Sequence, residues 1–167
     1  MNVTDWTPYL HLLLALVLGT AIGLERLLRH NPAGLHTNAL VALGSAGFVM
    51  AGTLTSSDSP TRIAAQVVSG IGFLCAGVIL RHGMTVRGLN TAATVWCASA
   101  VGVLAAVGLV PLAVAFAGGV VLTNYVLHIV EGKIMQLPSY RGDLHAAQQE
   151  ARREVAKDAK DAKSNER

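Results

Sequence analysis

Apolar residues run in long stretches along this chain, and in the first 130 positions only Asp5, Glu25, Arg26, Arg29, Asp58, Arg62, Arg81 and Arg87 carry charge. They leave four uncharged runs: Trp6 to Leu24, His30 to Ser57, Ile63 to Leu80, and Gly88 to Val130. A helix that crosses a bilayer needs about 20 mostly apolar residues, so each of the first three runs holds one span. The fourth run has 43 residues, with Gly108 and Pro111 near its middle. Proline lacks the backbone donor that a helix interior needs, so a tight turn there divides the run into two spans. Backbone groups in lipid must be hydrogen-bonded internally, which makes each run a helix rather than an isolated strand. The pattern predicts an all-α polytopic membrane protein, a compact bundle of five transmembrane helices at about 7–25, 35–54, 63–80, 90–108 and 111–130. The membrane domain is expected over residues 1–136 and a charged tail over 137–167.

Composition agrees with that division. Of the 167 residues 52% are apolar and 14% charged, an unusual balance for a water-soluble fold. The charges are concentrated: 15 of the 23 lie from Glu131 onward. With five spans, twelve of the thirteen Lys and Arg residues fall on one side and Arg62 alone on the other. The excess of Lys and Arg marks the cytoplasmic side, so the N-terminus is expected outside and the tail in the cytoplasm. The net charge of +3 then calls for no nucleic-acid partner. The first span could pass for the apolar core of a signal peptide. No Lys or Arg precedes it, however, and Glu25-Arg26 follows it directly, which favours a retained helix. The tail, DLHAAQQEARREVAKDAKDAK, is built from good helix formers, but Val155 is its only sizeable apolar residue after Leu144. A solvated segment, partly helical or disordered, is expected there, with mixed charges that could rest near acidic lipid head groups.

The stretch Gly70 to Ile79, GIGFLCAGVI, opens like a dinucleotide-binding fingerprint. That fingerprint needs a third glycine three residues past the second, and here Cys75 holds the place. With no charge from Ile63 to Leu80, the motif reads as helix packing. Helices in lipid associate through small residues, whose spacing marks contact faces. His11, Ala15, Gly19 and Gly23 recur every four residues in the first span. Gln66, Ser69, Gly70, Phe73 and Gly77 line one side of the third, and Thr91, Thr94, Ala98, Gly102 and Ala105 one side of the fourth. Asn124 and His128 share a face of the fifth. Gly19, Gly23, Gly70 and Gly77 are the candidate packing residues. Cys75 and Cys97 read as small apolar packing residues, and His11 and His128 as groups that satisfy a core hydrogen bond.

Ionisable residues at span ends are the candidates for chemistry. Glu25 closes the first span, where a carboxylate meets the unfavourable end of the helix dipole, and Arg26, Arg29 or Arg87 could supply the countercharge. Asp58 and Arg62 stand at i and i+4, the order that suits a helical salt bridge or a solvated surface pair. A magnesium path would need oxygen ligands, and the acids of the first 130 residues, Asp5, Glu25 and Asp58, all lie away from mid-membrane. Only Glu25 and Asp58, or neutral oxygens from Asn90, Thr91 and Thr94, could serve such a path. No confident metal site emerges. No spaced set of Ser, His, Asp or Cys supports an enzyme, and no cofactor is expected.

Four blocks in order, GTAIGLER, AGLHTNALVALGSA, SPTRIAAQVVSGIGFLCAGVIL and VRGLNTAATVWCASA, span Gly19 to Ala100. Together they resemble the membrane domain of the MgtC/SapB family. The resemblance implies a bacterial inner-membrane protein tied to growth at low magnesium and, in pathogens, to survival inside macrophages. It implies a regulatory role, with the ATP synthase, sensor kinases or small hydrophobic peptides as partners, alongside membrane lipid and a possible homo-oligomer. A magnesium or proton transporter is the alternative. The motif residues it carries over are Glu25, Arg26, Thr37, Asp58, Arg62, Gln66, Asn90, Thr91 and Trp96. Two positions depart from the family wording: His36 stands where arginine is usual, which makes a fixed charge titratable, and Cys75 replaces a glycine, which should widen a close contact. Members closest in wording carry a soluble C-terminal domain that this chain is expected to lack, so regulation through such a domain is not expected here.

Overall fold

A computed structural model describes residues 6–29, 33–55, 60–82 and 85–134. Five helices are present: α1 Thr7–Leu28, α2 Leu35–Leu54, α3 Pro60–Val78, α4 Leu89–Ala106 and α5 Val110–Ile134. All five are long and apolar enough to cross a membrane. Two short strands, β1 Leu80–His82 and β2 Thr85–Arg87, lie between α3 and α4.

The strands correct the expectation of helix through Leu80. Helix α3 stops at Val78, and Leu80 pairs with Arg87 in an antiparallel register that continues with Arg81 opposite Val86 and His82 opposite Thr85. The pairing satisfies backbone groups where the chain reverses between two spans. Gly88 closes the reversal in the left-handed region at φ +90°. A Cβ there would run into the Val78 carbonyl oxygen, so only glycine lets the start of α4 sit against the end of α3.

The expected turn between the last two spans is more elaborate than a proline break. Helix α4 ends at Ala106, and Gly108 takes φ +83°. The amide of Leu109 donates to the Leu104 carbonyl and that of Gly108 to Ala105, the paired bonds of a Schellman cap. Pro111 then falls in the first turn of α5, where its missing N–H is harmless. At the other ends, α1 runs to Leu28 and α5 to Ile134, each one turn past the expected limit. The tail expected at 137–167 lies outside the described residues.

By its contacts the chain divides between Thr123 and Asn124, within α5. In the first unit α1, α2 and α4 pack most extensively on one another, and α3 leans more on α4 than on α2. Alanine dominates the buried apolar set: Ala15, Ala46, Ala105, Ala106 and Ala113 surround Val49 and Met50, while Ala98 and Ala117 join Ile22 and Val101. Lipid tails are as apolar as any side chain, so close backbone approach over small residues, more than water exclusion, holds these helices together. In the second unit the described residues, 124–134, form the last turns of α5.

Candidate functional site: a buried polar junction of α1, α2 and α4

Close glycine contacts bring α1 onto α2. A Cβ on Gly19 would lie 2.6 Å from Ala42 Cβ and 2.7 Å from the Asn38 carbonyl oxygen. One turn further, a Cβ on Gly23 would lie 2.7 Å from Leu35 Cα and 2.9 Å from the Gly34 carbonyl oxygen. Gly102 of α4 is pressed in the same way against the Ala42 carbonyl, so α2 is held between α1 and α4. Asn38, fully buried, donates Nδ2 to the carbonyls of Ala33 at 2.7 Å and Gly34 at 2.9 Å. This clasp fixes the end of the α1–α2 loop, where Ala33 adopts the left-handed φ of 54°.

One turn past Gly23, the Arg26 side chain is 2% exposed. Its Nη2 donates to Thr91 Oγ1, also buried, at 2.9 Å. Among the described residues nothing accepts from Arg26 Nε, and nothing donates to Asn38 Oδ1. A guanidinium out of water is expensive unless it is paired. The neighbouring carboxylate of Glu25 makes its ion pair with Arg29, one turn along α1. Because α1 continues to Leu28, Glu25 sits inside the last turns, and Arg29 supplies the countercharge. Deeper in the bundle, Ser45 and Ser99 share a hydrogen bond of 2.7 Å between α2 and α4. Thr94 turns its hydroxyl back to the Asn90 carbonyl at 2.9 Å.

The structure therefore brings together Glu25, Arg26 and Thr91, with Gly19 and Gly23 as the close-packing positions beside them. Thr37 is half-buried on α2, whereas Arg62, Gln66, Asn90 and Trp96 are exposed. Asp58 lies outside the described residues, and with it the Asp58–Arg62 pair. Gly70 and Gly77 make no close contact among the described residues: a Cβ at either would meet nothing within 4 Å. Both glycines are exposed on α3, which leaves that side of the helix open among the described residues. Cys75 reaches α4 through a thiol donated to the Ala92 carbonyl at 3.3 Å, and His36 is exposed. The core hydrogen bonds expected of two histidines are not found: His11 Nδ1 is buried with no partner among the described residues, and His128 is exposed. Asn38 and the Ser45–Ser99 pair are polar groups that sequence reasoning passed over; their signal was a polar residue inside an uncharged span. Among the described residues no group of three His, Cys, Asp or Glu side chains could hold a metal ion.

A second feature is an open apolar groove of about 610 Å³ between α2 and α3. Leu40, Phe48 and Leu74 form part of its walls, Gly44 and Gly70 leave its sides low, and Gln66 is its exposed polar group.

A model of the MgtC family matches residues 12–133. The chain belongs to the MgtC family. It is 54% identical over 132 residues to Protein MgtC of Salmonella typhimurium strain LT2, covering 78% of this chain and 57% of that protein. It is 58% identical over 110 residues to Protein MgtC of Brucella abortus strain 2308, covering 63% of this chain and 46% of that one. An uncharacterized protein of Synechocystis sp. is 51% identical over 142 residues, covering 84% of this chain and 61% of its own length. The matched part thus spans between about half and three-fifths of these curated relatives. No solved structure matches. Family membership and the five apolar helices make this a multi-pass membrane protein.

Proposed function

We propose that this protein is an MgtC-type regulator of the bacterial inner membrane that acts by binding other membrane proteins, in growth at low magnesium and in survival inside host cells. Its N-terminus faces outward and its charged tail lies in the cytoplasm, a reading supported by the asymmetry of Lys and Arg. The observation that carries the reading is the open side of α3. Only 6% of its membrane-length window is buried, and Gln66 presents an exposed carboxamide there. A hydrogen-bonding group at membrane depth is a strong site for helix association, and the open glycines Gly70 and Gly77 let a partner's backbone come close. The ATP synthase and small hydrophobic peptides, which the family resemblance implies, are the first partners to try. The buried, positively charged Arg26 beside Thr91 speaks against a cation path through that junction.

The test is crosslinking and co-purification from cells grown at low magnesium, comparing the natural protein with Gly70→Leu and Gln66→Leu. Loss of a specific partner band in both variants supports the reading. Unchanged capture, or saturable magnesium influx into liposomes holding the purified protein, would sink it and favour the transporter.

A further inference from the structure

The start of α4 gathers several positive features. Its first-turn amides, those of Leu89, Asn90 and Thr91, donate to no acceptor among the described residues. The N-cap is Gly88, which has no side chain to offer, and the first turn contains no acidic residue. The free N–H groups and the helix dipole make this end of α4 electropositive. A helix of 18 residues expresses that dipole fully. Two cations adjoin it. Arg87 stands one residue before the N-cap and is exposed. Arg26, almost fully buried, reaches in from α1, donates Nη2 to Thr91 in that first turn, and keeps an N–H at Nε that nothing accepts among the described residues. The Glu25 carboxylate is paired with Arg29 and also attracts Arg26, so two guanidinium groups share one carboxylate and the junction keeps a net positive charge.

An arrangement of uncapped amides, an exposed arginine and a buried guanidinium is unfavourable by itself and becomes favourable around an anion. Exposure of Leu89 and Asn90 leaves the amide end of the turn open to the outside, while Arg26 backs it from within. The charge and the several donors suit an oxyanion with more than one acceptor oxygen, and the position, at the boundary of an apolar span, is the depth of lipid phosphates. We propose that the first turn of α4, with Arg87 beside it and Arg26 behind it, is a binding site for a phosphate group. The same chemistry is presented by a phospholipid headgroup and by free inorganic phosphate. This site is separate from the open side of α3 and stands whether or not that side binds a partner.

The full chain, purified in a maltoside detergent that contains no phosphate, is titrated with inorganic phosphate and, separately, with short-chain phosphatidylglycerol. Sodium chloride at matched ionic strength is the control. Melting temperature and retained lipid by native mass spectrometry are read for the natural protein, Arg87→Gln, Thr91→Val, and Arg62→Gln, whose change lies at the opposite end of α3. Saturable stabilisation is expected that weakens about tenfold in Arg87→Gln and Thr91→Val and stays unchanged in Arg62→Gln. Stabilisation by phosphate and lipid alike identifies a free-anion site, and stabilisation by the lipid alone identifies a headgroup site. Arg87→Gln replaces an exposed side chain and keeps the test valid even where Thr91→Val fails to fold. No stabilisation beyond that of sodium chloride, or equal loss in Arg87→Gln and Arg62→Gln, overturns the proposal.

Discussion

Arg26 on α1 donates to Thr91 on α4 across 65 positions of sequence, and both side chains are buried. A hydrogen bond to a charged group contributes about 1.5–3 kcal/mol, and most of what its loss costs comes from leaving the charge unmatched. Thr91→Val is therefore expected to lower stability by about that amount in reversible detergent unfolding. Combining it with Arg26→Met removes the charge along with its acceptor, so the double variant should recover part of the loss. A double variant less stable than Thr91→Val alone would show that Arg26 contributes mainly through its packing.

Gly19 and Gly23 make a sharper steric prediction. An alanine at either position meets backbone atoms of α2 or its preceding loop at 2.7–2.9 Å, and backbone cannot give way as a flexible side chain does. Gly19→Ala and Gly23→Ala should each destabilise by about 1–3 kcal/mol through forced separation of α1 from α2. Gly70→Ala and Gly77→Ala have open space and should leave the isolated protein's melting temperature unchanged or slightly raised, since alanine favours helix. Parallel melting curves of the four variants check both halves of the prediction.

These glycines also show where the sequence was legible. Charge spacing located the first three helices and the run that holds the last two, because a bilayer sets a minimum apolar length, and Gly108 with Pro111 divided that run. Small-residue spacing identified faces but could not say what lies opposite: Gly19 and Gly70 belong to similar stripes, yet one touches α2 and the other faces outward. Arg26 was recognisable as a motif residue, but its burial was not, because an arginine at a span end ordinarily reads as solvated. Its acceptor, Thr91, comes from a helix far along the chain. The hairpin from Leu80 to Arg87 was hidden for a different reason: each strand has three residues, too few to show alternation.

Ser45 and Ser99 allow a measurement of how much a neutral polar contact stabilises this bundle. Their hydroxyls are 2.7 Å apart between α2 and α4, with both residues buried. Interhelical hydrogen bonds in membrane proteins average about 0.6 kcal/mol in double-mutant cycles, because the separated helices find other polar partners. The cycle of Ser45→Ala, Ser99→Ala and the double variant is expected to give a coupling near that value. A coupling above about 2 kcal/mol would mean that the pair sets helix register.

Cys75 offers the last prediction, because it occupies a position where the family wording has glycine. The thiol donates to the Ala92 carbonyl at 3.3 Å, so the added side chain serves as a contact from α3 to α4. Helix α3 has few other attachments, being packed more on α4 than on α2. Cys75→Gly removes the weak hydrogen bond and places glycine inside a helix, where it costs about 1 kcal/mol relative to alanine. Cys75→Ala removes the hydrogen bond but keeps the helix preference. If the thiol contact matters, Cys75→Ala should increase hydrogen exchange of the α3 amides while leaving those of α1 and α2 as they were. If only helix propensity matters, Cys75→Gly alone should do so. Equal exchange in both variants and the natural protein would mean that α3 is held by its other contacts, with Ile63 lodged over Gly52 as the foremost of them.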